Sequence, residues 1–145
     1  MPHNILDTDD AIRKLLAGIT RVAVLGIKTE AQAGQPAFYV PQALQTAGLT
    51  IVPVPVYYPD VTTILGEPVY RTLAEIPGEI DVVDVFRRPS DIPGHLDDML
   101  KKRPRAVWLQ SGIRHAEVAR TLSEAGILVV QDRCLMVEYE LCLRK

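Results

Sequence analysis

Short apolar runs that end in glycine or in cations set the pattern of this chain. Val22 to Gly26 is followed at once by Ile27 and Lys28, and Asp81 to Phe86 by Arg87 and Arg88. Ala106 to Gln110 leads into Ser111, Gly112, Ile113, Arg114 and His115, and Ile127 to Val130 into Gln131, Asp132, Arg133 and Cys134. Such runs, apolar on both faces and bounded by turn residues, predict parallel strands covered on both sides. Helical spacing fills the intervals. Asp7 to Asp10 form a capping cluster ahead of Ala11, Ile12, Leu15, Leu16 and Ile19. Pro36 suits the first turn of a helix through Phe38, Val40, Leu44 and Ala47, with Gly48 as its stop. Pro89 to Lys102 turns Ile92, Leu96, Met99 and Leu100 inward, Glu117 to Ala125 stops at Gly126, and a last helix runs from Arg133 to about Leu143.

A further strand, Thr50 to Val56, contains Pro53 and Pro55, which cannot donate ladder hydrogen bonds; it must run on an edge or leave the sheet near Val54. Tyr57 to Pro77 is irregular, with a short extended piece at Glu67 to Tyr70 and one helical turn at Leu73 to Ile76. Alternating strands and helices call for right-handed crossovers, hence an α/β fold with a doubly wound five-stranded parallel sheet and helices on both faces.

In such a sheet ligands lie beyond the carboxyl ends of the strands, so Lys28, Arg87 and Arg88 are expected on a binding rim. Arg21, Lys101, Lys102, Arg103 and Arg105 precede strands and belong to the opposite edge. A net charge of −2 with a basic rim favours an anionic small molecule over nucleic acid. The 145 residues, 48% of them hydrophobic, suffice for one domain with a conventional core. No secretory signal or membrane-length apolar run is read, and the expectation is a cytoplasmic protein without membrane association. Cys134 and Cys142 lie too far apart along one helix to pair, which fits a reducing compartment.

Candidate chemistry narrows the picture further. Gly26 stands where phosphate approaches a first strand, but the next glycine is Gly34, so the dinucleotide fingerprint is absent and no carboxylate closes strand two. Lys28 is a candidate phosphate contact or a solvated loop lysine; Arg87 and Arg88 are candidate ligand contacts or partners of Asp91 or Glu67. Gln110, Ser111 and Gly112 form a post-strand turn whose N–H groups could face an oxyanion, with Ile113 beside it. Ser111 lacks a nucleophile context, and His3, His95, His115 and the cysteines show no metal-ligand spacing, so neither catalysis nor a metal is expected. Trp108 reads as core, and Asp81 and Asp84 as structural or boundary residues. Cys134, after Arg133 at a helix start, is either a structural cysteine or a thiol tuned towards thiolate.

Taken together, VAVLG, the PVP closing strand two, Gly66 with Val69 and Tyr70, DVVDVFRRP, VWLQSGI and DRCLMVE resemble the small bacterial and archaeal CoA-binding domain proteins over nearly the whole chain. That family is a stand-alone Rossmann-like domain similar to the CoA-binding part of the succinyl-CoA synthetase α subunit. The resemblance implies non-covalent binding of coenzyme A (CoA) or acyl-CoA without catalysis. By position it places Gly26, Ile27 and Lys28 towards the CoA phosphates, Pro53, Val54, Pro55 and Val56 beside the adenosine, and Phe86, Arg87 and Arg88 along the pantetheine arm. The chain departs from the family at Gln35, where a base usually precedes the second helix, and at Pro55 and Val56, where Asn-Pro and a base are usual. Lys28 stands where the family commonly has a small residue. Two other roles are compatible with the same resemblance: accessory subunit of an acyl-CoA ligase, and a CoA- or redox-responsive sensor using Cys134. A homo-oligomer or a protein partner is compatible with any of the three.

Overall fold

The structure, a computed structural model, describes residues 4–144; His3 lies outside them. The chain begins with a two-residue strand, β1 (Ile5–Leu6), and the helix α1 (Asp9–Leu16), whose N-cap is Thr8, its hydroxyl accepting the Ala11 N–H. β2 (Arg21–Leu25), α2 (Pro36–Thr46) and β3 (Thr50–Val54) follow. After a small antiparallel hairpin, β4 (Thr63–Ile64) with β5 (Glu67–Pro68), come β6 (Val82–Val85), α3 (Leu96–Lys102), β7 (Ala106–Leu109), α4 (Ala116–Glu124), β8 (Leu128–Val130) and α5 (Leu135–Leu143).

The main sheet is wholly parallel, in the order β1-β8-β7-β6-β2-β3. The doubly wound α/β class read from the sequence holds, with one strand more than the five expected. That strand is β1, paired to β8 through Ile5 with Val129 and Leu6 with Val130. Two residues carry no periodicity, so only the tertiary register reveals it. β3 occupies the far edge and ends at Val54, as Pro53 and Pro55 require. The helix expected over Pro89 to Lys102 divides at His95: Pro89–His95 is a 3₁₀ segment, because Pro93 cannot donate to an α-helical ladder. The Leu73 to Ile76 turn closes through a single Ile76 N–H to Leu73 carbonyl bond.

One core lies between the sheet and α1, α2 and α5, and includes Ile12, Leu16, Phe38, Leu44, Trp108 and Leu135. The other lies on the opposite face and includes Met99, Val118 and Leu122 from α3 and α4. Trp108 is fully buried and donates its indole N–H to the Arg133 carbonyl at 2.8 Å. Asp81 fastens a strand boundary: its Oδ2 accepts the N–H groups of Thr20 and Arg21 at 2.7 and 2.9 Å. Burial alone would raise its pKa, but those hydrogen bonds hold it below the ordinary carboxylate value. Asp84 lies in the middle of β6, fully buried between Val24 and Trp108, and neither of its oxygens has a hydrogen-bond partner among the described residues.

Candidate functional site

Strand order reverses between β2 and β6: the chain passes from β2 outward to β3 and then returns across β2 to β6. The carboxyl ends of those two strands therefore flank a topological switch point, where crossover connections diverge and leave a crevice. Gly26 ends β2 there with φ +87°, and a Cβ added to it would lie 2.3 Å from the Phe86 carbonyl oxygen. The two chain segments can approach this closely only because residue 26 has no side chain.

A cavity of about 500 Å³ opens at this point. Its walls bring together Gly26, Ile27, Lys28 and Gln35 from the first loop and Phe86, Arg87, Arg88 and Ile113 from the later strand ends. The first turn of α2 closes one side through Pro36 and Ala37, and Gln35, its N-cap, makes no side-chain capping bond. An N-terminus left uncapped by side chains is suited to an anion.

Arg87 is the organising residue. Its side chain is 14% exposed, its Nε donates to His95 Nε2 at 3.2 Å, its guanidinium lies 3.5 Å from Asp91 and it stacks over the Tyr57 ring at 5.6 Å. Burial, followed by the Arg87 charge, holds the His95 imidazole below its ordinary pKa, which suits it to accept that bond as a neutral ring. Arg88 is 78% exposed and pairs with Asp91 at 2.9 Å, so Asp91, one of the two partners anticipated, takes both arginines. Arg71 shapes the remaining wall. Its guanidinium donates to the carbonyls of Tyr57, Tyr58, Pro59 and Val61, which turns both tyrosines into the cavity lining.

A family model described as a CoA binding domain matches residues 20–140. The chain belongs to the CoA binding domain family. A relative from Bacillus subtilis (strain 168), YneT, is 33% identical over 128 residues, spanning 88% of this chain and 91% of the relative. Among solved structures, the Thermus thermophilus protein ID.343 shares 40% identity with a TM-score of 0.84, covering 94% of this chain and 99% of that one. A hypothetical protein from Pyrococcus horikoshii OT3 shares 30% identity with a TM-score of 0.83, over 99% and 96% of the two chains. A Ca. Korarchaeum cryptofilum dinucleotide forming acetyl-coenzyme A synthetase shares the fold, at 17% identity and TM-score 0.67, with 84% of this chain matching 27% of that one.

Not every expected residue reaches the cavity of this CoA binding domain. Pro53 and Val54 close β3, and Pro55 is buried beyond it, outside the cavity lining with Val56; Tyr57 and Tyr58 stand in the wall instead. Gly112, expected to turn its N–H to an anion, lies outside the cavity lining and donates that N–H to Asp132 Oδ1 at 2.7 Å. The carboxylate remains ionised below its ordinary pKa, held there first by that same backbone bond. The Arg133 guanidinium, read as a neighbour of the Cys134 thiol, is spent on Asp9 and Glu138 at 2.9 and 3.5 Å. Cys134 itself caps the backbone start of α5 without a side-chain bond and lines a second cavity beside the first. Among the described residues no helix is long and apolar enough to cross a membrane, and no three His, Cys, Asp or Glu side chains are grouped to hold a metal.

Proposed function

We propose that this chain binds CoA or an acyl-CoA at the switch point of its sheet and carries no catalytic residues of its own. The cavity between the ends of β2 and β6 carries the reading. It offers Lys28, Arg88 and the α2 N-terminus to a diphosphate, apolar surface at Ile27, Phe86 and Ile113 to a pantetheine arm, and two tyrosine rings to a base. A nicotinamide dinucleotide fits less well, because the tight glycine turn and the ribose-binding carboxylate are missing from the chain.

Thermal unfolding with CoA and with NAD tests this. A ligand at about 100 times its Kd adds about 2.7 kcal/mol to a native state it selects, and about 5–10 °C to the melting temperature of a domain of this size. CoA is expected to give that shift and NAD a much smaller one. A larger shift with NAD, or none with millimolar CoA, overturns the reading.

The two arginines should separate in their salt dependence. Arg87→Ala removes a mostly buried cation and the support of Tyr57 together, and CoA affinity should fall by about 1.5–3 kcal/mol with little change as salt rises. Arg88→Ala removes an exposed, screened cation, and the loss should be about 1 kcal/mol and should shrink in high salt. Lys101→Ala, on the opposite edge, serves as the control. Binding by all three variants at wild-type strength would place the ligand elsewhere.

A further inference from the structure

The second cavity, of about 390 Å³, adjoins the first, with Pro36, Phe86 and Ile113 bordering both. Beyond those residues it is lined by Tyr39, Met136 and Val137, and no lysine, arginine, aspartate or glutamate borders it. One polar group stands out. Gln110 is only 4% exposed, and its Oε1 accepts the Leu135 N–H at 3.0 Å, which fixes the amide plane at the start of α5. Its NH₂ group is thereby turned the other way and donates to nothing among the described residues, while the residue forms part of the cavity wall. A donor without a protein partner at the wall of an apolar cavity is open to a ligand acceptor.

We propose that this cavity receives the uncharged acyl group of an acyl-CoA, with the Gln110 NH₂ donating to the thioester carbonyl oxygen and Tyr39, Met136 and Val137 covering the chain. The proposal rests on the CoA reading above and names the ligand class for the same site. A free thiol would leave both the donor and the apolar wall unused. A dicarboxylic acyl group would bring a carboxylate into a chamber without a cation.

Calorimetry with CoA and with propionyl-, butyryl-, hexanoyl- and succinyl-CoA tests it. Each added methylene should tighten binding about fourfold until the chamber is full, and butyryl-CoA should bind at least about tenfold more tightly than CoA. Succinyl-CoA should gain nothing over CoA. Gln110→Glu keeps the acceptor for the Leu135 N–H but replaces the donor with an oxygen; it should weaken butyryl-CoA about tenfold and leave CoA within a factor of about two. Val137→Glu, at a position 46% exposed, covers the case in which the buried substitution prevents folding; it should flatten the chain-length series and spare CoA. CoA binding with no dependence on acyl length would reject the acyl chamber and leave the CoA reading standing. Failure of CoA and every acyl-CoA to bind would reject both.

Discussion

Gly26→Ala is expected to destabilise the protein by about 2–6 kcal/mol and to abolish ligand binding at the switch point. Residue 26 has φ +87°, a conformation that costs a residue with a side chain about 1–3 kcal/mol. The new methyl would also fall 2.3 Å from the Phe86 carbonyl oxygen, and a backbone carbonyl cannot swing aside as a side chain can. Overpacking of that kind adds about 1–3 kcal/mol. Relief is available only if the ends of β2 and β6 part, and those ends are the floor of the cavity. Thermal melting should therefore fall by about 5–20 °C. Gly34→Ala is the control: no atom lies within 4 Å of its added Cβ and its φ is ordinary, so stability should stay level or rise slightly. A loss below about 1 kcal/mol for Gly26→Ala would mean that the switch point is pliable.

The parts of this molecule that could be read from the chain are those decided locally. Runs such as Ala106–Leu109 are apolar on both faces because they are covered on both faces, and this alone orders most of the sheet. Cations directly after strands, Lys28, Arg87 and Arg88, reach the cavity because the end of a strand fixes where the next residues stand. The parts that could not be read depend on distant partners. β1 exists through its register with Val129 and Val130. Tyr57 and Tyr58 follow the edge strand in an irregular segment, and their place in the wall is decided by Arg71, whose guanidinium gathers four carbonyls. The Gly112 N–H is engaged by Asp132, 20 residues on. Gln110 was legible as a turn residue, but its free amide appears only once α5 has taken the other end of the side chain. An adjacent tyrosine pair after a strand that prolines force to an edge was the one available signal for the missed wall.

Asp84 gives the chain a stability term that runs against the usual direction with pH. Its carboxyl is fully buried in β6 with no hydrogen-bond partner among the described residues, and burial pushes its pKa well above the ordinary value. The folded state therefore holds a proton that the unfolded state releases at about pH 4. The contribution is fully present below that unfolded pKa and is lost as pH rises through the folded one, with a limiting slope of about 1.4 kcal/mol per pH unit. Asp81, Asp91 and Asp132 have lowered values and act oppositely, contributing stability above the unfolded pKa that acidification removes. Comparing wild type with Asp84→Asn in urea at pH 4.5, 6 and 7.5 subtracts them. The variant should gain on wild type as pH rises, because its amide cannot ionise. Asp84→Val should be more stable than wild type at neutral pH by about 1–3 kcal/mol, since it replaces an unpartnered polar group by an apolar one suited to a strand. Parallel pH profiles for wild type and Asp84→Asn would show that the carboxyl ionises as readily folded as unfolded. A persistent cost at the centre of the sheet, two residues before Phe86 at the cavity wall, is the kind of local conflict that a fold tolerates beside a site.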